Sequence, residues 1–276
     1  MDFSVNRIDI CSDDKYVLFS FYKNGIPLQD VSPKWGMTLK KAGSMRFRWN
    51  EENNLRMNMF SSILNNHSSK SEFVPVELIH SQIVYDVSSV ADTFNKQGDG
   101  IITSNKNLIP VVTVADCVPI YFYDEKSKAF GVVHSGWKGT GIIAEAIKID
   151  LEKYCGSVDD ICVAIGPHIR NCCYVINEER TEYFRNNFCN DCVVKIEKDF
   201  FSRRSELANW DYGSGNLYCL SLEKANLSVL KKIGIKPENI VVAKNCTCCD
   251  EVFGSNRRET ILSNNFTVQA AFIGYM

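Results

Sequence analysis

The sequence predicts an α+β fold built on mixed β-sheets. Two observations lead there. Apolar runs of strand length succeed one another without an intervening helix, most clearly at 109–123 and 129–134. Helical spacing returns only in separate stretches, such as 142–154, so no regular strand–helix alternation of the kind that builds a parallel sheet is present.

In chain order, KYVLFSFY at 15–22 is expected to form a strand, and 43–49 a further one. Residues 50–64, NEENNLRMNMFSSIL, read as a helix opened by Asn50 or by an acidic first turn. VELIHSQIVYDV, 76–87, reads as a strand carrying His80, and Gly98-Asp99-Gly100 is a turn signal. The runs 109–123 and 129–134 are joined by DEKSK as in a hairpin. Glycines 136, 139 and 141 then break the chain before the helix at 142–154, with Ile143, Ala146, Ile147, Ile149 and Leu151 as its apolar positions. A strand at 158–165 ends on Gly166-Pro167-His168, and 178–188 reads as a helix. Residues 190–215 hold the longest loop, and 217–233 read as a helix on the spacing of its leucines. IKPENIVVAKNC opens a late strand, and FTVQAAFIGY closes the chain as another.

A length of 276 residues suits one large domain or two small ones. No Pro- or Ser-rich linker divides it, so residues 1–276 are expected to form one domain. The formal net charge of −2 leaves no electrostatic footprint for nucleic acid or an anionic membrane. No apolar run approaches the ~18 residues of a membrane-spanning helix. The polar, acidic start MDFSVNRIDICSDDKY does not read as a signal peptide, which points to the cytoplasm. In that compartment most of the twelve cysteines should be reduced thiols rather than a disulfide framework. CTCC at 246–249 invites a metal reading, but no second CxxC or clustered histidine accompanies it, so its cysteines read as structural or incidental.

Chemistry concentrates at two strand ends. One apolar run reaches Asp116-Cys117, and the next ends in His134-Ser135-Gly136-Trp137. Of the four histidines, His67 lies in a polar loop and His168 in a turn, whereas His80 and His134 sit in or beside apolar strands. Two imidazoles and a thiolate suit a tetrahedral zinc ion whose fourth position stays open. Separations of 37 and 17 residues (117 − 80 and 134 − 117) would bring the ligands from different strands. Copper accepts the same donor set, and a metal-free Cys–His nucleophilic pair is a further alternative. Asn256-Arg257-Arg258, beside a glycine turn, offers two guanidiniums for an anion such as phosphate.

VPVELIHSQIVYDV, GDGIITSNKNLIPVVTVADCVPIYFYD, GVVHSGWKGT, IGPHIRNCCYVI and NCTCCDEVFGSNRRE, taken together and in order, resemble the signature blocks of the laccase-domain family. Its members are also called multicopper polyphenol oxidase or purine nucleoside phosphorylase family proteins. The resemblance runs from about residue 75 to the C-terminus and is weaker before it. There the family's FSTRxGG-like segment reads FSFYKNG at 19–25, with Lys23 near the place of the family arginine.

The resemblance implies zinc held by His80, Cys117 and His134, with copper as the alternative ion. It implies two sheets layered between helices, related to the cytotoxic necrotizing factor catalytic domain. It also implies phosphorolysis of adenosine, inosine, guanosine or methylthioadenosine, and adenosine deamination, with nucleoside and phosphate as partners. The family's oxidase name implies copper-dependent phenol oxidation instead, although four histidines are too few for blue and trinuclear copper centres together. For these reactions Asp116 is the candidate proton shuttle or support for a metal ligand. Lys138, Arg257 and Arg258 are the candidate phosphate clamps, and Trp137 is a candidate platform for the base.

Overall fold

A computed structural model describes residues 3–29, 32–67, 69–263 and 265–276. The first third contains β1 (Asn6–Ile8), β2 (Tyr16–Phe19), β3 (Tyr22–Lys23), β4 (Ile26–Pro27), β5 (Lys34–Thr38) and α1 (Asn54–Asn66). Then come β6 (Glu72–Pro75), β7 (Val84–Asp86), β8 (Gly100–Thr103), β9 (Leu108–Val114), β10 (Val118–Asp124), β11 (Phe130–Ser135) and α2 (Ile143–Lys153). They are followed by β12 (Ile161–Ile165), β13 (Val175–Asn177), α3 (Glu178–Asn187), β14 (Val193–Lys195) and α4 (Phe200–Arg203). The last stretch holds β15 (Leu217–Leu220), α5 (Leu222–Ile233), β16 (Ile240–Ala243), α6 (Asn256–Leu262) and β17 (Gln269–Gly274).

Two mixed sheets dominate. One has seven strands in the order β1-β16-β12-β10-β11-β8-β7, and the other has five, β2-β5-β17-β9-β6. Side-chain alternation along each strand divides the apolar residues among three layers. Tyr121, Val132, Ala164 and Val241 of the larger sheet face Trp35, Met37, Val112 and Ala271 of the smaller. The opposite face of the larger sheet, with Ile120, Val133, Val163 and Val242, packs on α2 and α5 through Ile143, Ile147, Leu222 and Leu230. The outer face of the smaller sheet, with Ile109 and Phe272, takes Met59 and Ile63 of α1. This is the helix–sheet–sheet–helix layering the resemblance implied.

The apolar run 109–123 is two strands, not one. β9 belongs to the five-stranded sheet and β10 to the seven-stranded sheet, so the chain changes sheets across Ala115-Asp116-Cys117. Asp116 takes φ +80° there, a left-handed turn unusual for a residue with a Cβ. β10 and β11 then form the expected antiparallel hairpin, with Val118 opposite Ser135 and Pro119 opposite His134.

Several elements differ from expectation. Residues 76–87 are not a continuous strand: only Val84–Asp86 is extended in a sheet, and His80 is exposed in a turn at φ +61°. Residues 43–49 form no strand. Asn53, rather than Asn50, caps α1, its side chain accepting from the Arg56 amide. The leucine run at 217–233 is divided, because Leu217–Leu220 is a strand and Ser221 caps the helix that follows. The region 190–215 contains β14 and α4, and NRR opens α6 just after the turn at 251–253.

Candidate metal centre and its clefts

Cys117 stands at the crossing between the two sheets, His134 near the end of β11, and His80 in the turn before β7. The fold brings one donor atom from each within 4.8 Å of the others. The two imidazole rings lie 4.9 Å apart at 83°. His134 is buried, Cys117 half-buried and His80 exposed, so the cluster opens to one side. Gly136 is what lets the three approach. A Cβ at that position would lie 3.0 Å from His80 Cδ2 and 3.2 Å from Cys117 Sγ.

Asp99 organises the histidines. His134 Nδ1 donates to Asp99 Oδ1 at 2.8 Å, which leaves Nε2 free to act as a ligand. The His80 amide donates to the same oxygen at 3.0 Å, and the Ser81 amide and hydroxyl donate to Oδ2 at 2.6 and 2.7 Å. One buried carboxylate therefore fixes the ring of one histidine and the backbone of the other. Burial pushes Asp99 up, but the His134 imidazole and the Ser81 donors hold it below the usual carboxylate range. Sequence reasoning took Gly98-Asp99-Gly100 only as a turn. The available signal was an aspartate running directly into the short run Gly-Ile-Ile-Thr, which the fold buries entirely as Gly100–Thr103.

Burial also pushes the Cys117 thiol up, yet the imidazoles of His134 and His80 reverse this and bring it down to about 7. For His134, burial opposes the charge, but Cys117 and Asp99 outweigh it and raise the imidazole to about 9. A thiol drawn down by two imidazoles suits metal ligation, because the thiolate is the form that binds a metal ion.

Asp116 is buried and both its oxygens are engaged. Thr247 Oγ1 donates to Oδ1 at 2.6 Å and the Arg257 amide to Oδ2 at 2.6 Å. Burial raises its carboxyl against these two donors. Asp116 thus ties the Cys117 turn to the first turn of α6.

Two clefts meet at the cluster. The larger, 480 Å³, is walled by Trp137, Tyr174, Trp210 and Tyr212, with Arg180 and Arg257 among them. The smaller, 340 Å³, carries His80, His134, Arg46 and Arg48. Ala115, Cys117 and Asn256 line both.

The predicted cations separate in space. Arg257 lines the larger cleft, its guanidinium 4.3 Å from the Trp210 ring and 5.4 Å from the Tyr212 ring. Arg258 does not reach a cleft, because it donates to the carbonyls of Thr247, Cys248, Asp250 and Phe253 and so shapes that loop. Lys138 is exposed and lies over Trp137, at neither cleft wall. Lys23 is held by the Asp159 carbonyl and Asp160, so it does not replace a site arginine. His168 is buried away from the cluster, its Nδ1 bonded to the Gly166 carbonyl. Arg46, Arg48, Arg180, Trp210 and Tyr212 were not singled out in the sequence, where they are scattered among polar segments without a shared pattern.

A seam between two sheets, a cysteine placed at the crossing and two histidines tethered by one aspartate define a metalloenzyme-like centre within an α+β sandwich. The chain belongs to the family described as multi-copper polyphenol oxidoreductase laccase, whose model matches residues 50–274. It is 33% identical over 181 residues to a purine nucleoside phosphorylase of Borreliella burgdorferi, covering 65% of this chain and 71% of that protein. It is 31% identical over 164 residues to adenosine deaminase RL5 of an unknown prokaryotic organism, covering 58% of this chain and 56% of that one. Among solved structures it superposes on the hypothetical protein YfiH of Bacillus licheniformis with a TM-score of 0.74 at 25% identity, across 88% of this chain and 93% of that one.

Proposed function

We propose that this chain is a zinc-dependent purine nucleoside enzyme, which splits purine nucleosides with phosphate and deaminates adenosine at the same centre. The observation that carries this reading is the convergence of His80, Cys117 and His134 between an aromatic cleft and an arginine-bearing one. The names of the relatives supply the substrate class.

His80, Cys117 and His134 would hold the ion, since three soft or borderline donors with one open side are a catalytic zinc set. Bound there, zinc would act as a Lewis acid and acidify water at its open position. The remaining work falls to side chains. Trp137, Tyr174, Trp210 and Tyr212 offer faces on which a purine stacks. Arg46 and Arg48 offer positive charge to phosphate on the other side. The ribose then spans the shared wall of Ala115, Cys117 and Asn256. In phosphorolysis a phosphate oxygen bonds to the anomeric carbon while the bond from that carbon to the purine nitrogen breaks. Asp116 serves as a positioning residue in this reading, because both its oxygens are committed to Thr247 and Arg257. Arg257 lies on the aromatic side, its guanidinium over the Trp210 ring, so in this reading it meets the base rather than the phosphate expected of the Arg257-Arg258 pair.

The test is metal analysis of the purified protein, then chromatography of products from a nucleoside panel with and without phosphate. Expected are stoichiometric zinc, ribose 1-phosphate formed only with phosphate, and inosine plus ammonia from adenosine. Cys117→Ala or His80→Ala should lose one equivalent of zinc, that of the three-ligand centre, together with turnover. Full phosphorolysis by metal-stripped Cys117→Ala protein would sink the proposal.

The lowered Cys117 thiol beside His134 favours one second reading, a metal-free Cys–His hydrolase. Such an enzyme would keep its activity in chelator and lose it to iodoacetamide. Copper oxidation by a multicentre route has less support, since His67 and His168 both lie outside the cluster.

A further inference from the structure

A second group of soft donors lies apart from the His80–Cys117–His134 cluster. Cys172 and Cys173, in the loop after β12, meet Cys246 and Cys249 in the loop after β16. One sulfur from each lies within 4.8 Å of the rest. The recorded Sγ separations are 3.7 Å for Cys172–Cys173, 3.6 Å for Cys172–Cys249, 3.3 Å for Cys173–Cys249 and 3.6 Å for Cys246–Cys173. A zinc–sulfur bond of about 2.3 Å gives a tetrahedron with edges of about 3.8 Å. A disulfide needs sulfurs at about 2.05 Å in one favoured pair, whereas here four contacts share nearly the same longer spacing.

The surroundings fit an anionic centre. Arg204 Nη2 donates to Cys173 Sγ at 2.8 Å and its Nη1 to Cys249 Sγ at 3.3 Å. The Arg170 amide donates to Cys246 Sγ at 3.3 Å. Four thiolates around a divalent cation carry two net negative charges, and a guanidinium and an amide aimed at sulfur stabilise that charge. Cys173 and Cys246 are buried while Cys172 and Cys249 are exposed, so an ion can enter from solvent. Backbone pairing sets the register: His168 and Cys246 form a parallel bridge, and the Thr247 amide donates to the His168 carbonyl.

We propose that Cys172, Cys173, Cys246 and Cys249 form a second metal site, a closed tetrathiolate that holds one zinc-class divalent ion in a structural role. All four positions are taken by protein sulfur, which leaves no open coordination position for substrate. The ion clamps the two loops that build the larger cleft. One runs on to Tyr174 and the other to Asn256 and Arg257, and Arg204 adds the segment that leads to Trp210 and Tyr212. This site does not depend on the purine reading or on the three-ligand centre.

The experiment measures metal per chain by elemental analysis in the full-length wild type, in Cys117→Ala and in Cys249→Ser, all purified under reductant. One equivalent of zinc is expected to remain in Cys117→Ala and to be lost selectively from Cys249→Ser. Cobalt loaded into Cys117→Ala should show the strong thiolate-to-metal charge transfer and intense visible bands of a tetrahedral tetrathiolate. That measurement stands even if Cys249→Ser fails to fold. The proposal is overturned if Cys117→Ala holds no tightly bound metal and gives no cobalt–thiolate absorption. It is equally overturned if thiol counting without reductant finds a disulfide among the four.

Discussion

At the scale of single residues, Asp99 is the side chain on which the candidate centre most depends. It never reaches the ligand position, yet it decides which nitrogen of His134 is free and where the His80 backbone stands. Replacing an outer partner of this kind typically weakens metal binding about 10- to 100-fold. Asp99→Asn should do so while leaving the far-ultraviolet circular dichroism unchanged, and a competition titration with a zinc indicator reads the shift. Unaltered affinity would show that the tether is structural only. Cys117 and His134 were legible in the sequence because each interrupts an apolar strand end, where a reactive side chain is conspicuous. Asp99 was not, because its role lies in hydrogen bonds to residues 18, 19 and 35 positions away.

At the scale of elements, a second acid shows how packing sets charge. Asp150 of α2 is wholly buried against the β10–β11 turn, where its Oδ1 accepts from Ser127 Oγ at 2.6 Å. Its Oδ2 and Asp124 Oδ2 crowd the same side of Gly156, where an added Cβ would lie 2.1 and 2.6 Å from them. Burial, then the neighbouring Asp124, pushes Asp150 up to about 7. The native state therefore keeps a proton that the unfolded chain releases near pH 4. Stability from this pair is full below that value, falls as pH rises toward 7, and is level beyond. Asp150→Asn should raise the melting temperature relative to wild type at pH 8 more than at pH 4.5, by scanning calorimetry. An equal shift at both pH values would refute the proton retained on Asp150.

The same scale explains which elements could be read beforehand. The β10–β11 hairpin and α2 announce themselves through local periodicity and a five-residue turn. The strand at 217–220 hides in a leucine run that satisfies helical spacing equally well, and only its pairing with β13 and β14 decides the matter. The strand expected around His80 fails because the turn there is held by Asp99, a tertiary contact with no local trace. CTCC reads as structural or incidental in the sequence because its partners, Cys172 and Cys173, lie more than seventy residues earlier.

Across the whole molecule the two sheets are joined by packing and by a few polar links. Tyr121, fully buried on β10, donates its hydroxyl to the Gly36 carbonyl on β5 at 2.9 Å. Tyr121→Phe should cost about 1 kcal/mol in urea unfolding and leave nucleoside turnover intact. A larger loss of activity than of stability would mean that the sheet-to-sheet spacing reaches the clefts. The layering itself was legible only through the family resemblance, since strand order depends on pairings such as β1 with β16 that no local pattern reveals.

The placement of β17 has a consequence for how the smaller sheet closes. Residues 269–274 fill the gap between β5 and β9, bonding to both neighbours. Without that strand, β5 and β9 share no hydrogen-bonded neighbour, and Trp35 and Val112 lose the Ala271 side of their shared apolar layer. Closing this sheet therefore waits on a pairing between segments far apart in sequence, the kind of contact that forms slowly.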